Sequence, residues 1–197
     1  MSPSVPELKG QLRRQLRAAS RSIMPLERAA ASEQIRQRLR EQEIWQKAQA
    51  VLFYLPLADE PDVWPLATEA LGLGKRVALP RYSAEEDVYA VCSVEDLSNL
   101  RVARFGLLEP SSSCPLFNLN RLDITLVPGI GFDVNGHRLG RGKGYYDRLL
   151  AQVAGIKCGV AFDWQVAAEI PTEPHDVRLD CILTPTLWQD VAGRARF

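Results

Sequence analysis

Between Gly136 and Leu150 the sequence reads GHRLGRGKGYYDRLL, with glycines at 136, 140, 142 and 144 set among Arg138, Arg141 and Lys143. Glycine lets a backbone approach a ligand closely and present successive N–H groups. A helix expected from about Gly144 to Val153 adds unsatisfied N–H donors and the positive end of its dipole. With the three cationic side chains, these features describe a site for a polyphosphate or another multiply anionic ligand. The other reading is a solvated basic hairpin tip. The spacing is not that of a Walker A loop, because His137 and Gly144 stand where that motif needs a glycine and a hydroxyl residue. Nor is it GxGxxG, since Tyr145 takes the place of the last glycine.

Carboxylates could complete such a site. Asp147 falls in the first turn of the expected helix, and Asp180 opens the expected strand in HDVRLDCILTP. Strand ends in α/β folds commonly face the ligand crevice, and two single carboxylates plus phosphate oxygens are a usual way to hold magnesium. Without the loop, Asp147 reads as a charge partner of a helix N-terminus and Asp180 as a strand-end cap. Glu60, a few residues beyond VLFYLP, could accept hydrogen bonds from an amino-heterocycle edge or be one more loop acid. Lys9 and Arg13 share a helix face at i, i+4 spacing and could reach a phosphate tail, although exposed charged faces are usually only solvated. His137 and His175 read as surface or structural residues. No serine or Cys–His arrangement favours covalent catalysis.

These residues need elements to hold them. Leu8, Leu12 and Leu16 recur every four residues, and Ile35 with Leu39 continues the pattern beyond a break at Pro25, so about Pro6 to Ala48 reads as helical. AVLFYLP is a buried-type strand ended by Pro56, and Asp62 can cap a helix running towards Leu71 with Pro65 in its first turn. GKRVALPRY, VYAVCSV, LDITLVPG, IKCGVAF and LDCILTP read as further strands, Asn135-Gly136 marks a hairpin, and EPSSSCPL reads as a surface loop. Strands interleaved with helices predict an α/β sandwich with a mostly parallel sheet.

At 197 residues the chain is expected to form a single domain over residues 1–197. Its 24 Lys and Arg equal its 24 Asp and Glu, which argues against a nucleic-acid or membrane partner. Apolar runs such as Ala50 to Leu57 are too short to span a bilayer. The N-terminus lacks the apolar core of a signal peptide. Cys92, Cys114, Cys158 and Cys181 are spread without a CxxC pair, so a cytoplasmic protein with reduced thiols is expected.

VPGIGFDVNGHRLGRGKGYYDRLL and HDVRLDCILTP, preceded in order by KGQLR and VLFYLPLADE, span nearly the whole chain. Together they resemble the 5-formyltetrahydrofolate cyclo-ligase family, also called 5,10-methenyltetrahydrofolate synthetase; Gly-Arg-Gly-Lys-Gly-Tyr-Tyr-Asp is the specific element. The resemblance implies a three-layer α/β/α sandwich of Rossmann-like kind. It also implies a ligase that uses ATP and Mg2+ to close 5-formyltetrahydrofolate to 5,10-methenyltetrahydrofolate, releasing ADP and phosphate through a phosphorylated formyl (iminium phosphate) intermediate. By motif match, ATP would be met by Lys9, Gly10, Gln11, Leu12 and Arg13, and by Arg138, Leu139, Gly140, Arg141, Gly142, Lys143, Gly144, Tyr145 and Tyr146. The folate would be met by Leu55, Glu60 and the stretch Arg141, Gly142, Lys143, Gly144, Tyr145, with Arg141, Lys143 and Tyr145 nearest the chemistry. Asp147 and Asp180 would hold magnesium, and Arg81 is a further candidate for the cleft. The expected partners are these small molecules, with the protein a monomer.

One residue departs from the family pattern: Val63 stands where threonine is frequent, which removes a hydroxyl near the pterin pocket unless Asp62 takes over as cap. Two rival readings stay open at this point. One is an enzyme of like architecture acting on another anion such as a sugar phosphate. The other is a nucleic-acid-binding module using the basic loop and the arginine-rich first helix.

Overall fold

The computed structural model describes residues 3–102 and 108–193. Helix α1 (Val5–Arg21) starts where the Glu7 carboxylate accepts both the N–H and the hydroxyl of Ser4, at 2.8 Å each. Helix α2 (Pro25–Arg40) begins on the proline itself, whose missing N–H costs nothing at a first helical position. Helix α3 (Glu43–Lys47) leads to strand β1 (Ala50–Leu52), helix α4 (Trp64–Gly72), and strands β2 (Arg76–Ser83) and β3 (Val88–Val94). Then come β4 (Leu100–Val102), β5 (Leu108–Pro110), β6 (Ile124–Val127), β7 (Gly131–Phe132) and β8 (Arg138–Leu139). Helix α5 (Tyr145–Leu150) precedes β9 (Ile156–Val160), β10 (Cys181–Leu183) and β11 (Trp188–Asp190).

Among the described residues the main sheet has seven strands in the order β11-β10-β9-β6-β1-β2-β3. The inner run from β2 to β10 is parallel, and β3 and β11 pair antiparallel at its edges. The mostly parallel α/β arrangement expected from the sequence is therefore the one observed. Side-chain alternation explains the layers. Val51, Val77, Ile124, Cys158 and Cys181 point into a core shared with Ile35, Leu39, Ile44 and Leu66 of α2, α3 and α4. Their neighbours Leu52 and Ala78 face the other way, onto Leu149 of α5, while Val127 and Ile182 pack with Leu150 and Phe132. Helices thus cover one face, and α5 with the β7–β8 hairpin covers the other.

Local differences from the expected elements have physical causes. The assigned strand β1 stops at Leu52, the Phe53 N–H makes one further bond to the Ala78 carbonyl of β2 at 3.0 Å, and Phe53 and Tyr54 stay fully buried beyond it. Short β4, β5, β7, β8 and β11 have no readable period of their own. The N-cap of α4 is Val63 rather than the expected Asp62, although the Asp62 carboxylate, one residue earlier, accepts the first helical N–H, that of Trp64, at 3.0 Å. Val63 is completely buried, so the residue in the threonine position serves packing.

The Asn135-Gly136 hairpin forms, with Gly136 at φ +86°, a conformation that favours glycine. Its organising group is Asp133, whose fully buried carboxylate accepts the N–H groups of Asn135 (2.9 Å), His137 (3.0 Å) and Ile170 (3.0 Å) and contacts His137 Nδ1 at 3.0 Å. Burial pushes this carboxyl upward, but the Ile170 and His137 N–H groups and the His137 ring outweigh it and hold the group below its ordinary value. A carboxylate lowered on folding stabilises fully above its unfolded value, and the contribution is lost as pH falls through the folded one. Asp133→Ala is therefore expected to lower stability by about 3 kcal/mol at neutral pH. The gap from the unsubstituted protein should narrow in acid, as thermal melts across pH would show; a pH-independent gap would contradict this role.

Candidate active site

A cavity of about 460 Å³ opens beyond the carboxyl ends of the parallel strands. Leu55, Leu57 and Glu60 line it after β1, and Pro128 with Gly129 after β6. The loop from Arg138 to Asp147 forms one wall, Lys9 and Arg13 of α1 a second, and Tyr89 of β3 part of a third. This is where an open parallel sheet presents its crevice.

The loop is held open by its own geometry. Gly142 and Gly144 have φ of +99° and +67°, so side chains would strain both turns. A Cβ on Gly140 would lie 2.9 Å from the Arg138 guanidinium, so a side chain there would displace that guanidinium from its place. Arg138 is nearly buried; it donates to Asp147 Oδ1 at 2.9 Å, lies over the Tyr146 ring, and keeps its Nε without a hydrogen-bond partner. Arg13 Nε donates to the Gly140 carbonyl at 2.8 Å, fastening the loop to α1. Lys143 is exposed and has no ion-pair partner among the described residues.

At the opposite end Glu60 has a side chain 5% exposed. One carboxylate oxygen accepts the Leu57 N–H at 3.1 Å, and the other accepts from Arg141 at 2.9 Å. Arg141 also donates to Asp59 at 2.7 Å, so it crosses the cavity from the glycine loop to the segment after β1. Burial raises the Glu60 carboxyl above its ordinary value, against the lowering effects of the Leu57 N–H and Arg141.

The structure brings Lys9, Arg13, Leu55, Glu60 and every residue from Arg138 to Asp147 to one cavity. It does not bring Gly10, Gln11 or Leu12 there. Leu12 turns to the apolar cluster of Leu16, Ile130, Leu139 and Ile170, because adjacent helical residues point about 100° apart. Asp180 also stays away, which corrects the expected pairing with Asp147. It precedes the amino end of β10, and its carboxylate accepts the Lys157 N–H at 2.9 Å, whereas the cavity lies at the carboxyl ends. Arg81 donates to the Ser111 carbonyl at 3.1 Å and does not line the cavity.

Residues without a motif were missed. Glu173 and Asp176 hold the Lys9 ammonium at 2.8 and 2.6 Å, so Lys9 does not face the cavity as an unopposed charge. Burial lowers that ammonium, and the two carboxylates more than reverse the effect. His175 lines the same rim, and its ring lies close enough to both acids for the three to ligate a cation, a position where Lys9 already sits on two of them. Their only sequence signal was acidity near a histidine in EPHD.

An α/β sheet with a cationic glycine loop at its carboxyl edge, facing a buried carboxylate across a shared cavity, defines a small-molecule enzyme of the open-sheet class. The chain belongs to the 5-formyltetrahydrofolate cyclo-ligase family, whose sequence profile matches residues 5–185. It is 35% identical over 188 residues to the 5-formyltetrahydrofolate cyclo-ligase of Mycolicibacterium smegmatis, covering 91% of this chain and 95% of that one. The mouse protein of the same name is 28% identical over 192 residues, with 91% and 95% covered. The NMR structure of Aquifex aeolicus 5,10-methenyltetrahydrofolate synthetase superposes with a TM-score of 0.85 at 33% identity, covering 94% of this chain and 93% of the other. No helix among the described residues is long and apolar enough to cross a membrane.

Proposed function

We propose that this protein closes 5-formyltetrahydrofolate to 5,10-methenyltetrahydrofolate with consumption of ATP and release of ADP and phosphate. The observation that carries this reading is the single cavity in which the buried Glu60 carboxylate faces the cationic glycine loop, with Arg141 between them. A formamide oxygen is a poor leaving group. Its attack on the γ-phosphorus expels ADP and converts it into a phosphate ester; N10 then bonds to the formyl carbon, the C–O bond breaks, phosphate departs and N10 loses its proton. This route needs positioning and charge stabilisation and no protein nucleophile.

The chain's residues divide these tasks. Glu60 accepts the amino and ring N–H donors of the pterin, which take the place of the Arg141 guanidinium. Arg138 and the N–H groups of the glycine loop bind phosphate oxygens, and Lys143 meets the phosphoryl group in transfer. Asp147 fits a magnesium ion bound with phosphate oxygens, since one carboxylate with substrate oxygens is a common arrangement and only its Oδ1 is engaged by Arg138. Such an ion supplies neutralisation of phosphate charge. Asp180 has no part in that set.

Asp147→Asn is expected to raise the magnesium concentration for half-maximal rate by roughly tenfold, with a smaller change in folate KM. An unchanged magnesium dependence would remove Asp147 from this role. The reading as a whole is tested by mixing the protein with 5-formyltetrahydrofolate and following the near-ultraviolet absorbance of the methenyl product. The absorbance should rise only when ATP and magnesium are both present; no rise with folded protein would overturn it.

A further inference from the structure

The outer β2–β3 hairpin reaches the glycine loop through one residue outside every recognised motif. Asp87, at the hairpin tip, is the one non-glycine residue with positive φ (52°) among those described. Its Oδ1 accepts the hydroxyls of Tyr82 at 2.7 Å and Tyr145 at 2.8 Å. Its carbonyl accepts from Arg148 at 2.7 Å, and the Arg148 guanidinium lies 5.0 Å from the Tyr145 ring centre. Tyr145 packs on Tyr82 and Tyr89, with centroids 5.4 and 5.5 Å away, and Tyr89 meets Tyr146 at 5.5 Å. Tyr89, Tyr145 and Tyr146 line the cavity, while Asp87 does not.

We propose that Asp87 is a positioning residue that fixes the Tyr145 ring, and with it the aromatic wall against which the folate's ring system lies. Two hydroxyls converging on one carboxylate oxygen form short, charge-assisted bonds, and these set the ring's orientation. Tyr145 opens α5 directly after the left-handed Gly144, and the contacts that restrain its ring are those with Tyr82, Asp87, Tyr89 and Arg148. The hairpin supplies that restraint from outside. Aspartate tolerates the left-handed region better than most residues, so the tip carries acceptor and backbone geometry together.

The inference rests on the cyclo-ligase reading, and the test separates the two. Asp87→Gly keeps the backbone conformation and removes the acceptor, whereas Asp87→Asn keeps both. Asp87→Gly should raise the KM for 5-formyltetrahydrofolate roughly tenfold while kcat stays within about twofold, as expected when binding rather than transition-state contact is lost. Asp87→Asn keeps an acceptor oxygen without its charge, so it should recover most of that loss, to within about threefold of the unsubstituted KM. In a Tyr145→Phe background Asp87→Gly should add nothing further, because the bond is already absent. An unchanged KM in Asp87→Gly, a melting-temperature change alone, or additive effects in the double variant would overturn the inference. Absence of turnover in the unsubstituted protein would overturn the cyclo-ligase reading and this inference with it.

Discussion

Lys143→Ala is expected to lower kcat by roughly 10²–10³-fold, the usual cost of removing one preorganised charge from a transferring group. The other loop cations keep carboxylate partners: Arg138 pairs with Asp147, and Arg141 retains Asp59 when the pterin takes its place on Glu60. Lys143 stands between two left-handed glycines without an ion-pair partner among the described residues. A charge so placed is the one available to follow the phosphoryl group. Because the loop's N–H donors and Arg138 remain, the affinity for a non-hydrolysable ATP analogue should change by less than about tenfold. A variant with the unsubstituted protein's single-turnover rate would assign the transfer step to other residues.

Glu60→Gln is expected to raise the KM for 5-formyltetrahydrofolate roughly a hundredfold, corresponding to about 3 kcal/mol for charge-assisted bonds made in a buried site. Glutamine offers one acceptor oxygen and turns an amide donor towards the pterin's own donors. The substitution also removes the partner of Arg141, leaving that guanidinium to Asp59. Since burial raises the Glu60 carboxyl, its protonation should weaken folate binding at a pH above the ordinary glutamate value. The charged form accepts the donors, so affinity falls as pH falls through the raised value. That acid limb should be missing from Glu60→Gln in a pH series of kcat/KM, and its persistence would place the titrating group elsewhere.

The parts of the molecule written in local pattern are legible in the sequence. Alternating and buried runs marked six of the seven strands described in the central sheet, all but the short edge strand β11, and glycines among cations marked the loop. Glu60 was legible because it follows a strand at its carboxyl end, where the crevice opens. Asp180 misled because sequence shows that a residue flanks a strand, yet not which end of the sheet the ligand uses; only the parallel register with β9 settles that. Asp87, Glu173 and Asp176 reach the site through contacts with Tyr145 and Lys9 far away in the chain. No spacing rule encodes such contacts. Gly10, Gln11 and Leu12 came along with a continuous motif, although a helix can turn only one of its faces to the cavity.

The most direct measurement follows an oxygen isotope label placed on the formyl group of 5-formyltetrahydrofolate. Turnover with magnesium and ATP should carry the label quantitatively into inorganic phosphate, because the formyl oxygen becomes the bridge of the phosphate ester and leaves with it. Methenyl product formed with the label in water, or ATP cleaved with the label still on the folate, would contradict phosphoryl transfer to the formyl oxygen.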